Sequence, residues 1–285
     1  MLIVNCYLCF TKDESMELLP ILVTWDFTNV SAHALEHAVR MSNMSGKNIV
    51  LLHIIKNNNS EDTVFEQLKS VSKECKRKHG IEPKIIVKAG NIFTTISETA
   101  NNIQAKLIVM GTHGYSGIQK IIGSRVKRVL SKSNAPFFIV QAPPKQIYLK
   151  RIIFPIDSNT EMKENVSFII NLANLYRSEV IIFKNITNNL KFDFKTNLTS
   201  EFIVNNLQSN KIYYSEQIHN DRTNFYKAAI DLVGKKQADL IAITTNEVSS
   251  LKDYFYDTAK QQLVANCHKV PVICFNPRRD NIHTI

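Results

Sequence analysis

The chain has 285 residues, of which 44% are hydrophobic and 21% are charged, and its formal net charge is +10. This length suggests one large domain or two of ordinary size, and the composition is that of a soluble globular protein, which excludes disordered and fibrous classes. The five cysteines are odd in number and scattered, as in proteins of a reducing compartment, so we expect a cytoplasmic protein.

The first ten residues, MLIVNCYLCF, are apolar but too few to span a bilayer, and they lack the basic region that begins a signal peptide. We expect translation to begin at Met16, so that residues 1–15 are a leader that the native protein lacks. Retention of Met1 or Leu2 in the intact mass of the natively expressed protein would refute this. Cys6 and Cys9 form a C-x-x-C pair, but no second pair accompanies them, and no redox or metal site is predicted there.

Short apolar runs alternate with amphipathic segments of helical length along the first half of the chain. The runs predict strands, and the segments with a period near 3.6 predict helices. In chain order the predicted elements are a strand at Leu18–Thr24, a helix at Ser31–Asn43, a strand at Asn48–Ile55, a helix from about Ser60 to His79, a strand at Pro83–Lys88, a helix marked by Ile92, Ile96, Ala100 and Ile103, a strand at Lys106–Met110, a helix marked by Val126, Val129 and Leu130, and a strand at Pro136–Gln141. The alternation predicts a doubly wound parallel sheet with helices on both faces.

The same pattern repeats in the second half of the chain. The segment RIIFPIDSN at Arg151–Asn159 resembles LPILVTWDFTN at Leu19–Asn29, which places Asp157 in the position of Asp26. ADLIAIT and VPVICF likewise repeat AKLIVMG and APFFIV. We therefore predict a tandem protein with a leader at 1–15, a first domain at 16–142, a linker at 143–149, a second domain at 150–278 and a tail at 279–285. The Asn-rich stretch Asn185–Asn197 is predicted to be a loop insertion in the second copy.

Half of the chain's eight glycines lie in one loop, which contains the sequence VMGTHGYSGIQKIIGS. The loop joins the carboxyl end of a predicted strand to the start of a helix. Ligands of open parallel sheets bind at that edge, and glycines let backbone N–H groups approach an anion closely. Ser124 could cap the helix or donate to a phosphate, and Arg125, Lys127 and Arg128 add positive charge. The alternative is a tight turn without a ligand.

Asp26 closes the first predicted strand and faces the same crevice as the loop if the first and fourth strands are neighbours. A carboxylate there can accept hydrogen bonds from ribose hydroxyls; the alternative is that it only directs the chain into the following helix. We interpret His53 as a packed strand residue and His113 as solvent-exposed or loop-structuring. Because no Walker G-K-[ST] or G-x-S-x-G motif is present, no catalytic residue is predicted.

These features together resemble the universal stress protein family, as a tandem of two family domains. The likeness rests on the strand that ends in Asp26, on the GTHG of Gly111–Gly114, and on the Gly123-Ser124 pair that opens the next helix. It implies two five-stranded, doubly wound parallel sheets of the Rossmann-like, adenine nucleotide alpha hydrolase-like class. The second domain would take the place that a partner subunit has in a single-domain dimer.

The resemblance also implies that the first domain binds ATP or another adenine nucleotide, with Mg²⁺ or Mn²⁺ at the phosphates. Asp26 would hold the nucleoside, and Ile54 and Met110 would contact adenine and ribose. The residues placed around the phosphates are Gly111, Gly114, Gly123 and Ser124, followed by Arg125.

Four departures from the pattern of ATP-binding members bear on this expectation. Eight residues separate Gly114 from Gly123, one fewer than in that pattern. Thr24 stands where such members often have proline, and Arg125 where they often have a small apolar residue. The second copy keeps Asp157 but has TTNE in place of GTHG, so the resemblance implies at most one nucleotide site.

We expect a protein of the stress response that senses nucleotide or has a structural role, and that is not a fast enzyme. The alternative is a pseudo-dimeric interaction module that binds no nucleotide and acts through protein partners; the short loop and the altered second copy favour it. Nucleic-acid binding is not expected, because the basic run KECKRK at Lys73–Lys78 is typical of a solvated helix face and no aromatic residues alternate with basic ones. An adenylating PP-loop enzyme is set aside because WDFTN replaces its serine- and glycine-rich loop. The sequence leaves open whether the tandem chain dimerises again.

Overall fold

The fold is described from a computed structural model of the chain. It describes residues 20–46, 48–55, 61–113, 133–146, 148–158, 160, 165–220, 223–244 and 262–275. Residues 1–19, residues 114–132 and residues 276–285 lie outside these ranges. The predictions for the leader, the predicted fourth helix, the tail and most of the glycine loop therefore stay predictions.

Strands and helices alternate in both halves, as predicted. The first half contains β1 (Ile21–Thr24), α1 (Asn29–Ser45), β2 (Ile49–Ile55), α2 (Glu61–His79), β3 (Lys84–Ala89), α3 (Ile92–Asn102), β4 (Leu107–Gly111) and β5 (Phe137–Val140). The second half contains β6 (Arg151–Ile156), α4 (Asn165–Tyr176), β7 (Glu179–Asn185), α5 (Leu190–Ser209), β8 (Tyr214–His219), α6 (Phe225–Lys236), β9 (Leu240–Thr244) and β10 (Val272–Phe275). The predicted α/β fold class is confirmed.

All ten strands belong to one sheet, in the order β3-β2-β1-β4-β5-β10-β9-β6-β7-β8. Pairing is parallel within each half, but β5 and β10 pair antiparallel, with Ile139 opposite Val272 and Phe137 opposite Cys274. The two predicted five-stranded sheets are therefore joined edge to edge. This pairing is favourable because it satisfies the backbone groups of two short buried strands that would otherwise form open edges.

Alternate residues of each strand project into two cores on opposite faces of the sheet. Val23 and Val109 lie in one core, and Leu22 and Ile108 lie in the other. Because helices cover both faces, the central strands read as continuous apolar runs rather than as alternating ones, which is why the sequence predicted them well. Within the described residues, no helix has both the length and the apolar character needed to cross a bilayer.

Helix α1 carries two side chains near the boundary between the halves. The buried His37 ring donates from Nε2 to the carbonyl oxygen of Ala142, at the end of the first half, over 3.1 Å. One turn further on, Arg40 interacts electrostatically with Tyr176 and Asp239, both in the second half. Burial lowers the pKa of His37 to about 4, so this imidazole is neutral at physiological pH. The two halves are thus joined by a helix face as well as by the sheet.

The interpretation of Asn185–Asn197 as a loop insertion is wrong. Helix α5 begins within that stretch, at Leu190, and the loop before it is short. The side chain of Asn189 accepts hydrogen bonds from the backbone N–H groups of Lys191 and Phe192, at 3.2 and 3.4 Å. Asparagine is a preferred N-cap residue because it satisfies donors that a helix start leaves unpaired. The polar residues that suggested a loop therefore mark the beginning of a helix.

Candidate functional site

The carboxyl ends of three neighbouring parallel strands form the predicted site. Strand β1 pairs with β2 on one side and with β4 on the other. Strands β2 and β3 lie to one side of β1, and β4 and β5 lie to the other, so the winding direction changes at β1. Parallel sheets bind ligands at such a switch point, outside the carboxyl ends of the strands. The structure brings Asp26, Ile54, Met110 and Gly111 to this edge, as the sequence predicted.

Four other predicted site residues, Gly114, Gly123, Ser124 and Arg125, lie outside the described residues. Together with Gly111, they are the residues predicted to surround the phosphates. Their roles stay predictions, and the geometry below concerns the nucleoside side of the site.

Asp26 is exposed and has a structural role that the sequence left as an alternative. Its Oδ1 atom accepts hydrogen bonds from the backbone nitrogen of Thr28 at 3.1 Å and from the Thr28 hydroxyl at 2.5 Å. Thr28 is the N-cap residue of α1, so Asp26 fixes the approach of the chain to that helix. Oδ2 accepts no hydrogen bond from the described residues. One carboxylate oxygen therefore holds the turn, and the other is available to a ligand.

Phe27 is a site residue that sequence reasoning missed. Its φ of +63° lies in the left-handed region, and its side chain is 42% exposed. The ring packs edge-on against Trp25, with centroids 6.2 Å apart, and against the imidazole of His53 at 5.1 Å. This conformation is costly for an aromatic residue, and the hydrogen bonds from Thr28 to Asp26 on either side of it hold the turn. Amino-acid propensities do not predict a left-handed conformation for phenylalanine, so the sequence gives no signal for this residue.

The two histidines near the site agree with their structural interpretations. Nδ1 of His53 donates to the carbonyl oxygen of Trp25 at 2.8 Å, which places the ring as a packed, half-buried strand residue. His113 is exposed and follows the buried Thr112, whose backbone nitrogen donates to the carbonyl oxygen of Val140 at 2.9 Å. Neither observation gives these rings a catalytic role.

Ile54 and Met110 lie on the same face of the sheet, in strands on either side of β1. Met110 is 8% exposed and belongs to the core of that face, and Ile54 is partly exposed and packs against the same core. An apolar surface beside a carboxylate suits a nucleoside, whose base is apolar on its faces and whose ribose carries donor hydroxyls. The described residues therefore fit the nucleoside part of an adenine nucleotide.

Gly111 ends β4 in direct contact with the first turn of α1. A Cβ atom at this position would lie 2.2 Å from the carbonyl oxygen of Val30 and 3.0 Å from the backbone nitrogen of Ser31. The close approach of two backbones alone requires glycine here. Gly111 thus has a packing role that does not depend on any ligand.

At the equivalent edge of the second half, neighbouring side chains engage the carboxylate of Asp157. Asp157 follows β6, and its Oδ1 accepts a hydrogen bond from the Thr160 hydroxyl at 2.9 Å. Its Oδ2 accepts one from the hydroxyl of Tyr226, in α6, at 3.2 Å. Both carboxylate oxygens of Asp157 are therefore engaged, in contrast to those of Asp26.

No metal-binding group stands out in the part of the chain that the structure describes. There, no cluster of three or more His, Cys, Asp or Glu residues has the arrangement of a metal site. The expected Mg²⁺ or Mn²⁺ would be held with the phosphates, and of the residues predicted there only Gly111 is among those described.

The geometry defines an α/β protein whose first half has a switch point at the carboxyl ends of its parallel strands, where such sheets bind ligands. Residues 18–141 match the model of the universal stress protein family. The first half of the chain therefore matches a universal stress protein domain. The resemblance inferred from Asp26 and the glycine loop is confirmed.

Two curated relatives come from Methanocaldococcus jannaschii. Universal stress protein MJ0531 is 25% identical over an alignment of 142 residues, and the match covers 44% of this chain and 84% of the relative. Universal stress protein MJ0577 is 25% identical over an alignment of 151 residues, and the match covers 42% of this chain and 93% of the relative. Both matches are the length of one half of the chain.

A solved structure matches both halves together. A universal stress protein from Archaeoglobus fulgidus DSM 4304 superposes with a TM-score of 0.71 at 16% sequence identity, covering 92% of this chain and 97% of that one. At this identity the likeness concerns the fold alone. The arrangement of both halves is therefore shared with a universal stress protein.

Proposed function

We propose that the first half of the chain binds an adenine nucleotide at the carboxyl ends of β2, β1 and β4, and that the protein senses this nucleotide in the stress response rather than catalysing a fast reaction. The observation that carries the proposal is the exposed carboxylate of Asp26 at the switch point of a universal stress protein domain. Its Oδ1 holds the turn through Thr28, and its Oδ2 faces no described partner.

In this proposal each described site residue has a separate task. Oδ2 of Asp26 accepts hydrogen bonds from the ribose hydroxyls, and Ile54 and Met110 offer apolar contact to the base and sugar. The phosphates lie toward Gly114, Gly123 and Ser124, with Arg125 nearby and Mg²⁺ or Mn²⁺ neutralising charge when bound. The closed carboxylate of Asp157 is consistent with a single site per chain.

The first experiment identifies any nucleotide carried by the protein. The chain is purified without added nucleotide and denatured, and the released small molecules are identified by chromatography and mass spectrometry. Near-stoichiometric ATP, ADP or AMP supports the proposal. Release of nothing, together with no heat of binding and no thermal shift with millimolar ATP and Mg²⁺, contradicts it.

A matched pair of variants locates the site. In Asp26→Asn, the retained oxygen still accepts from Thr28, but the amide that replaces Oδ2 cannot accept from ribose. We expect it to weaken nucleotide binding about 10- to 100-fold, as for loss of charged hydrogen bonds. Asp157→Asn is the control and should leave the affinity unchanged. Equal losses in the two variants would place the ligand elsewhere.

The second candidate function is an interaction module that binds no nucleotide. Two observations favour it: Asp26 already holds Thr28, and Gly111 is required by its contact with Val30. Both residues therefore have roles that need no ligand. Gly114→Asp separates the candidates, because a carboxylate there repels phosphate but leaves a partner surface elsewhere intact. Loss of partner binding and of nucleotide binding in the same variant would argue against two separate roles.

A further inference from the structure

Helix α5 buries two polar side chains against the sheet and exposes large apolar side chains to solvent. Thr196 and Ser200 are 1% and 3% exposed and face the sheet together with Ile203 and Leu207. The outward face instead carries large apolar side chains spaced four residues apart. These are Leu190, Phe194, Leu198 and Phe202, with exposed fractions of 90%, 65%, 49% and 37%, and we refer to them as the α5 ridge.

The fold itself does not require this ridge. Helix α2 occupies the corresponding place in the first half, after the second strand, and its outward face is charged. Its ion pairs include Glu66 with Lys69 and Glu74 with Arg77. Phe65 is its one large apolar side chain among those exposed in the described residues. The α5 ridge is therefore a property of the second half, and it exposes apolar area that water disfavours.

A helix ridge with a spacing of four packs well into the groove of an identical ridge. Consider two α5 helices that run antiparallel, with Thr196 of one copy beside Thr196 of the other. Leu190 of one copy is then level with Phe202 of the other. Phe194 is likewise level with Leu198. Each contact then occurs twice, as a two-fold axis demands.

The charges beside the ridge fit the same register. Lys191 of one copy is level with Glu201 of the other, so each end of the helix pair brings opposite charges together. Both residues lie on the exposed side of α5, next to the ridge. In a parallel arrangement in register, Lys191 would instead be level with Lys191 of the other copy, and Glu201 with Glu201. Like charges would then meet. The face is therefore complementary to itself in one orientation.

We propose that a second copy of this chain docks on the α5 ridge and forms a two-fold symmetric dimer through antiparallel α5 helices. Strand β8 carries a further exposed apolar side chain, Ile218, on the sheet face that α5 covers, since it alternates with Glu216, which accepts a hydrogen bond from Ser200 of α5. This contact is separate from the β5–β10 pairing, which is satisfied within the chain. It also lies in the half of the chain that does not contain Asp26.

Sedimentation velocity on the full chain, from about 1 to 200 μM, measures the dimer directly, since this range brackets micromolar dissociation constants. We expect a concentration-dependent dimer. Phe194→Glu places a charge in each copy at the centre of the contact and should raise the dissociation constant more than about 100-fold. Phe65→Glu on α2 is the matched control and should leave the dimer unchanged. Because both side chains are exposed, far-ultraviolet circular dichroism should show both variants folded.

Charge reversal tests the register. Lys191→Glu or Glu201→Lys alone should raise the dissociation constant about 3- to 10-fold, because two pairs per dimer become repulsive. The double variant with both reversals should recover the affinity of the unchanged chain. A monomer across the whole range, a dimer unaffected by Phe194→Glu, or a double variant that does not recover would each overturn the proposal. A monomer that instead binds phosphatidylcholine–phosphatidylserine vesicles through Phe194 would also overturn it.

Discussion

The end of β4 and the first turn of α1 touch at Gly111 and Val30. A Cβ atom at Gly111 would lie 2.2 Å from the Val30 carbonyl oxygen and 2.4 Å from its carbonyl carbon. Both are backbone atoms, so no change of side-chain rotamer could relieve the overlap. The position of α1, and with it the turn that contains Asp26, therefore depends on the absence of a side chain at residue 111.

Gly111→Ala should destabilise the protein strongly, by about 2–4 kcal/mol, because the helix start must move away from the strand. Gly80→Ala is the control variant. Gly80 has a left-handed φ of +73°, but a Cβ atom there would meet nothing within 4 Å. It should cost only about 1 kcal/mol, for the left-handed backbone alone. Urea unfolding measures both. Equal losses of stability in the two variants would show that the backbone at Val30 can move away from a Cβ atom at residue 111 without a penalty.

The left-handed backbone of Phe27 gives a second prediction. Phe27→Gly and Phe27→Ala both remove the ring and its contacts with Trp25 and His53. Only alanine retains a Cβ that conflicts with a φ of +63°. We therefore expect the glycine variant to be more stable than the alanine variant by about 1 kcal/mol, the reverse of the order in a helix or strand. A higher urea midpoint for the alanine variant would contradict this conformation.

His37 makes stability depend on pH. Burial lowers its pKa in the folded protein to about 4, from 6.5 when unfolded. Between these values the unfolded chain binds the proton and the folded chain does not, so acid favours unfolding. The contribution of His37 to the free energy of unfolding is fully present above pH 6.5 and is lost progressively as the pH falls toward 4. The loss amounts to about 3 kcal/mol.

His37→Gln tests this, because the amide can still donate to the carbonyl oxygen of Ala142 and does not titrate. Its free energy of unfolding, measured by urea at intervals from pH 7 to pH 4, should fall less steeply than that of the unchanged protein. The same substitution at the exposed His79 should leave the slope as it is. Parallel profiles for His37→Gln and the unchanged chain would contradict a neutral, buried imidazole.

Asn266 holds the turn that leads into β10. It is 1% exposed, and its Nδ2 donates to the carbonyl oxygens of Leu263 and Val270 at 3.0 and 2.8 Å. Its Oδ1 accepts from the backbone nitrogen of Val270 at 3.0 Å. Asn266→Ala would leave these backbone groups unpaired inside the protein, and we expect a loss of about 2–4 kcal/mol.

The exposed Asn210, whose Nδ2 donates to the carbonyl oxygen of Asn206 at 2.8 Å, is the matched control for Asn266. Its replacement by alanine should cost about 0.5 kcal/mol or less, because water can replace the lost bond. Thermal and urea unfolding of both variants measure the difference. A similar loss in the two variants would show that burial adds nothing at Asn266.

Sequence reasoning located the elements because their patterns are local. The buried run at Asn48–Ile55 corresponds to β2 at Ile49–Ile55, and the predicted helix Ser31–Asn43 lies within α1 at Asn29–Ser45. The antiparallel pairing of β5 with β10 carries no such signal. An edge strand buried by another half of the same chain has the same composition as an internal strand, so only the tertiary structure shows it.

The errors and omissions near the site have the same origin. The sequence predicts a loop at Asn189 because asparagine is common in both loops and helix caps, and only its bonds to Lys191 and Phe192 decide between the two. The sequence predicts the edge at which Asp26 lies, but the bond of Asp26 to Thr28 depends on the left-handed turn at Phe27, which no propensity predicts.

The junction between β5 and β10 changes how the two halves depend on each other. If these two strands belonged to separate molecules, their pairing would follow the protein concentration and would be lost on dilution. Here one backbone tethers them, so each strand experiences an effective concentration of its partner that is set by the connecting chain, on the order of millimolar. Each half therefore has a permanent neighbour, however scarce the protein is. The second half can therefore complete the sheet of the first although both oxygens of its own Asp157 are engaged.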